Sequence, residues 1–160
     1  MKKYAISVIG ILIIILLLAC NINNILSHAF QSRISHVIGV NIRKGTEITH
    51  TDSHGGFHGD GTTFVAVSFS DDTVLKKISK NRNWKAMPLT DNLTALKDLL
   101  DKTKADIPEV RNGYYYFINR QARHAKRHDD SDVLGRYSYN FTLAIYDADT
   151  NILYYTELDT

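Results

Sequence analysis

His50, Asp52 and His54 recur at every second residue, so an extended chain would set two imidazoles and a carboxylate on one face. His58 and Asp60 follow just beyond Gly55-Gly56. Imidazole nitrogen and carboxylate oxygen suit zinc or a similar divalent ion, which takes three or four such ligands. The chemistry would be metal-assisted, hydrolysis included. The spacing matches no zinc signature, and a glycine-rich hairpin loop with solvated or backbone-bonded histidines explains the same residues more simply. The stretch also offers backbone chemistry. Gly55, Gly56, Gly59 and Gly61 can take positive φ, and successive amides can cup an anion. No Gly-Lys-Ser/Thr follows, and the segment feeds a strand rather than a helix, so turn geometry is the plainer account.

A second cluster is basic. Arg120, Arg123, His124 and Arg127 share a face if residues 120–128 are helical, and such a face would suit anionic headgroups or wall polymers. Asp129, Asp130 and Asp132 lie just beyond, and a solvated loop of mutually neutralising charges outweighs that reading. No Gly-x-Ser-x-Gly elbow signposts a nucleophile. Glutamate occurs only at Glu47, Glu109 and Glu157, which gives a catalytic pair little support. Asp147 to Asn151 begins like a calcium loop, but Ile152 and Leu158 stand where that loop needs glycine and glutamate.

These residues need elements to position them. Gly61 to Ser70 is apolar on most of both faces and predicts a central strand. Residues 36–49 read as an extended arm ahead of it, with the glycine-rich segment between them as a hairpin. Residues 72–79 gather Val74, Leu75 and Ile78 as a short helix, and Trp84 reads as a core plug. Residues 90–102 are the best helix: Leu93, Leu96, Leu99 and Leu100 have helical spacing, and Thr90 or Asp91 can cap them. Asn112-Gly113 precedes the strand at Tyr114 to Ile118, and residues 137–146 and 152–158 make a closing hairpin. The expected fold is α+β: an antiparallel sheet of four to six strands with one or two helices packed on one face.

Ahead of this domain stands a leading segment. Lys2 and Lys3 precede sixteen uncharged residues, Tyr4 to Ala19, and Cys20 follows directly. A basic head, an apolar run and a small residue before a cut are the layout of a secretory signal. Leu16 to Cys20 also looks like a lipobox, in which the cysteine thiol carries the lipid. An uncleaved helix is the rival, since Ile22, Ile25 and Leu26 extend the apolar run. Plain secretion after cleavage ranks behind both. Both leading readings put the lysines in the cytoplasm and the domain outside. The segments expected are 1–20 as signal or anchor with Cys20 lipidated, 21–35 as a juxtamembrane connector that can be helical, and 36–160 as one domain.

Charge excludes one class. The 19 basic and 17 acidic residues balance once Lys2 and Lys3 are set aside, so nothing points to nucleic acid. One cysteine excludes an internal disulfide framework.

The run His54 to Gly61 (HGGFHGDG) stands with Trp84, Pro88-Leu89, Gly113-Tyr114-Tyr115 and the closing hairpin from Asn140-Phe141-Thr142 to Tyr154-Tyr155. With these features the chain resembles, over most of its length, a group of small uncharacterised bacterial proteins with an amino-terminal membrane or lipoprotein segment. That resemblance implies a membrane-anchored, extracytoplasmic location and contributes no reaction. The expectation is therefore a membrane-tethered extracytoplasmic module binding a protein or ligand, with no cofactor. The alternative is a metal-dependent enzyme using His50, Asp52, His54, His58 and Asp60.

Overall fold

Among the described residues, alternating β-branched and aromatic residues form six strands: β1 (Thr46–Asp52), β2 (Gly61–Ser68), β3 (Trp84–Ala86), β4 (Gly113–Asn119), β5 (Asn140–Asp147) and β6 (Ile152–Asp159). The computed structural model describes residues 15, 26–55, 59–101, 103 and 105–160. Cys20, Gly56 and His58 lie outside the described residues, as does the leading segment apart from residue 15. The strands make one antiparallel sheet in the order β1-β2-β6-β5-β4-β3. β2 is interior, as its two-faced apolar pattern predicts. The architecture is α+β, with a sheet at the upper end of the expected strand number.

Three α-helices pack on the sheet among the described residues. The first, α1, covers residues 26–38 and ends at Gly39, whose φ of +66° is the left-handed stop that glycine supplies without strain. The others are α2 (Thr73–Ile78) and α3 (Asp91–Asp101). Leu93, Leu96 and Leu100 of α3 are buried against Phe64, Phe117, Phe141 and Leu143. The Thr90 hydroxyl accepts from the Leu93 amide at 3.2 Å and so caps this helix. Ile34 and Ile38 of α1, with Val74 and Ile78 of α2, are buried against Val65, Tyr116, Leu153 and Tyr155.

The sheet therefore carries helices on both faces, not on one as the sequence pattern suggests. The reason lies in β2 and β5, where six and seven consecutive residues respectively are buried. Strands apolar at both parities expose a second face that also has to be covered. Residues 26–35, in the stretch expected as a connector, belong to that cover. The boundary expected at His36 falls inside α1, and the expected arm begins pairing only at Thr46. Two side chains from the sheet fasten the end of α1. Trp84 Nε1 donates to the Ile38 carbonyl at 3.0 Å, and the Tyr116 hydroxyl donates to the Val37 carbonyl at 2.6 Å. Both carbonyls belong to the last turn, where the helix itself offers no donor. Among the described residues no helix is long and apolar enough to cross a membrane.

Burial also sets an alkaline limit. Tyr146 and Tyr155 are fully buried. Burial, with the Asp72 and Asp71 carboxylates behind it, pushes the Tyr146 phenol up to about 12. Burial and then the Glu157 charge push Tyr155 higher still. A raised folded value means that the fold favours the protonated phenol. This stabilisation is whole below the unfolded tyrosine value of about 10 and is lost as pH climbs toward the folded values. Denaturant midpoints should hold steady up to about pH 10 and fall above it. Tyrosinate absorbance from these two phenols should emerge only with unfolding. Full titration of all tyrosines in a still-folded protein would contradict the burial argument.

Candidate functional site

Strand register builds a polar row on the α1 face. Asp52 of β1 pairs Thr63 of β2, Thr63 pairs Glu157 of β6, Glu157 pairs Thr142 of β5, and Thr142 pairs Ile118 of β4. Residues directly opposite in an antiparallel ladder share a face. The next row on this face reads His50, Val65, Tyr155, Ala144 and Tyr116. Most of that second row lies in the core with Ile34 and Ile38. The first row borders two hollows at its edge.

Glu157 anchors the polar row. Only 4% exposed, it accepts from the Tyr155 hydroxyl at Oε1 and from Arg33 of α1 at Oε2, and Arg120 stands 3.5 Å from that same Oε2. Arg120 also donates to Asp159 at 2.7 Å and to the Leu158 carbonyl at 2.9 Å. Asp159 faces His54 Nε2 at 3.2 Å, while His54 Nδ1 lies 2.6 Å from Asp52. Only the imidazolium form donates to both carboxylates at once. The His54 backbone amide, donating to Asp52 at 2.9 Å, is the first cause that holds the Asp52 carboxyl below its ordinary value. These groups surround a hollow of about 280 Å³.

A larger cleft of about 610 Å³ adjoins it and shares Arg120 and Glu157. His36 and Val37 of α1 form one side, and Tyr116, Ile118 and Thr142 of the sheet also line it. His124, Arg127 and His128 close the cleft from the segment after β4. His128 Nδ1 lies 2.7 Å from the Phe117 carbonyl, and its ring meets Tyr116 edge-on at 5.3 Å. Thr142 is 1% exposed, and its hydroxyl has no hydrogen-bond partner among the described residues. A buried hydroxyl left without a partner is costly and calls for an explanation.

The structure sorts the sequence candidates. His50 and Asp52 share a face as their spacing predicts, but His50 stacks on Phe30 at 4.3 Å and stands 3.7 Å from Glu47. His54 is engaged by Asp52 and Asp159, and Asp60 is exposed. Among the described residues no three His, Cys, Asp or Glu side chains are grouped to hold a metal ion. Of the loop glycines, Gly59 takes φ +71°, whereas Gly55 and Gly61 do not take positive φ. Gly61 is needed for a different reason: a Cβ there would lie 2.6 Å from the His54 backbone. In the basic cluster the expected helix is a single 3-10 turn, His124–Lys126. Arg120, His124 and Arg127 nonetheless line one cleft, and exposed Arg123 does not.

Arg33, His36, His128 and Asp159 escaped the sequence reading, which set Glu157 aside as one of three glutamates and named Thr142 only as part of the closing hairpin. One signal was present. In β6, Glu157 and Asp159 have the same parity as buried Leu153 and Tyr155, so acids stand where the pattern demands apolar residues. Comparison with protein-family models, with curated proteins and with solved structures finds no match.

Proposed function

We propose that the chain is a membrane-tethered, extracytoplasmic binding module whose ligand occupies the larger cleft. One observation carries the binding half: a cleft of about 610 Å³ gathers Arg120, Arg127 and three histidines beside the unpartnered Thr142 hydroxyl. Its volume falls in the range of about 300 to 1,000 Å³ typical of small-molecule sites. The tether rests on the apolar run behind Lys2 and Lys3 and on Cys20.

A thermal-shift screen of small anionic, neutral and cationic compounds tests the binding half, run in parallel on Thr142→Val. Valine keeps the shape and removes the hydroxyl. Ligand-induced stabilisation should be lost in the variant while the ligand-free protein melts no lower. A screen with no compound sensitive to Thr142 would sink the idea. Intact-mass analysis of the native protein tests the tether, by separating acylated Cys20 from an intact leader; an unmodified, freely soluble chain would refute it.

The metal-dependent reading rests on the spacing of His50, Asp52, His54, His58 and Asp60. Elemental analysis after zinc or manganese loading decides it. Stoichiometric metal that disappears in His54→Ala would favour the enzyme over the binding module.

A further inference from the structure

We propose that the cleft takes a phosphomonoester, with its phosphoryl group against Arg127, His124, His36 and the Thr142 hydroxyl, and an organic body against Tyr116, Ile118 and Val37. The proposal rests on the cleft being a ligand site and names the class of ligand.

Four groups lining the cleft are unspent. Arg127 makes no ion pair and no side-chain hydrogen bond among the described residues, and neither do the rings of His36 and His124. The Thr142 hydroxyl is the fourth. The acids nearby are already engaged. Glu157 is met by Arg33, Arg120 and the Tyr155 hydroxyl, and Asp159 by Arg120 and His54. What the cleft offers a newcomer is therefore donors and surplus positive charge. A carboxylate brings two oxygens to such a set, whereas a phosphomonoester brings three terminal oxygens and up to two charges. Arginine is suited to phosphate because its planar fork can donate two parallel hydrogen bonds. The phosphoryl group alone would leave much of the volume unfilled, and Ile118, Val37 and the Tyr116 ring supply a surface for a carbon skeleton. His36 belongs to α1, the element nearest in sequence to the expected anchor, so the phosphate could come from a soluble metabolite or from a phosphatidate headgroup.

The test is calorimetry on the full chain in neutral detergent with phenyl phosphate, and with benzoate as the carboxylate of like shape. Phenyl phosphate should bind about tenfold tighter than benzoate, and Arg127→Gln and Thr142→Val should each weaken it by about tenfold. Arg123→Gln, an exposed neighbour outside the cleft, should leave binding unchanged. Phosphatidylcholine vesicles with and without phosphatidic acid separate the sources. Displacement of phenyl phosphate by phosphatidic acid alone supports the headgroup, and no displacement supports a soluble ligand. Benzoate binding as tightly as phenyl phosphate, or Arg123→Gln weakening it as much as Arg127→Gln, would overturn the phosphate assignment. A different compound that binds with the same dependence on Thr142 would keep the cleft and refute only the ligand class. Absence of any such binding would refute both.

Discussion

Replacing Glu157 by alanine is expected to lower the unfolding free energy by about 3 kcal/mol, because it strips a buried hub of its one acceptor. The carboxylate receives the Tyr155 hydroxyl, which is wholly buried, and it balances Arg120. Removal leaves that hydroxyl without its acceptor and a half-buried guanidinium short of one counter-charge. Arg33 contributes less, because its side chain is 57% exposed and can return to water. Arg33→Ala should therefore cost well under 1 kcal/mol. Glu157→Gln keeps an oxygen acceptor for the phenol and should fall between the two. Urea denaturation of the three variants checks the order. A Glu157→Ala protein as stable as Arg33→Ala would show that the hub is not an internal support. The variant also removes the one carboxylate among the described residues that line the larger cleft, so it should not weaken an anionic ligand if the protein stays folded.

The sheet was legible because strand residues repeat with period two and the closing turn is marked by Asp147 to Asn151, whereas Asn112-Gly113, read as a turn, only leads into β4. Helix α3 was legible through its leucines and Thr90. Helix α1 was not. Its apolar residues, Phe30, Ile34, Val37 and Ile38, are diluted by Ser27, His28, Gln31, Ser32, Arg33, Ser35 and His36. The stripe is one residue wide per turn, and the polar remainder looks like a tether. Gln31 is nevertheless 2% exposed and donates to the Gly45 carbonyl at 3.4 Å, so even a polar residue of α1 faces inward.

The site was legible only in fragments. Arg120, His124 and Arg127 stood out by charge, and Asp52 and His54 by spacing. What joins them is register. Thr63 meets Glu157 because β2 pairs β6, and Thr142 meets Glu157 because β5 pairs β6. The hairpin fixes the second pairing, since its strands are adjacent in sequence. Nothing local fixes the first, which joins Thr63 to Glu157, 94 positions along the chain. A polar row assembled from strands distant in sequence becomes visible only once strand order is known.

Ile34→Ala is the sharpest test of where the domain begins. Ile34 has no exposed surface and packs in the cluster with Ile38, Val65, Trp84 and Tyr155. Truncating a fully buried isoleucine removes its transfer energy and leaves a cavity, a loss of about 3 kcal/mol. In a domain of this size that lowers the melting temperature by roughly 10 °C. Ser32→Ala, an exposed change on the same helix, should be neutral or slightly stabilising, since alanine favours the helix. Were residues 26–35 a connector outside the core, both substitutions would stay within about 0.5 kcal/mol. The consequence reaches the cleft as well. Arg33 and His36 ride on α1 and border the two hollows, and the seat of that helix on the sheet sets their position. A loosened α1 should therefore weaken any ligand held in the larger cleft even where the domain stays folded, whereas Ser32→Ala should leave binding intact. Calorimetry on both variants below their melting temperatures separates a positional loss from an unfolded fraction.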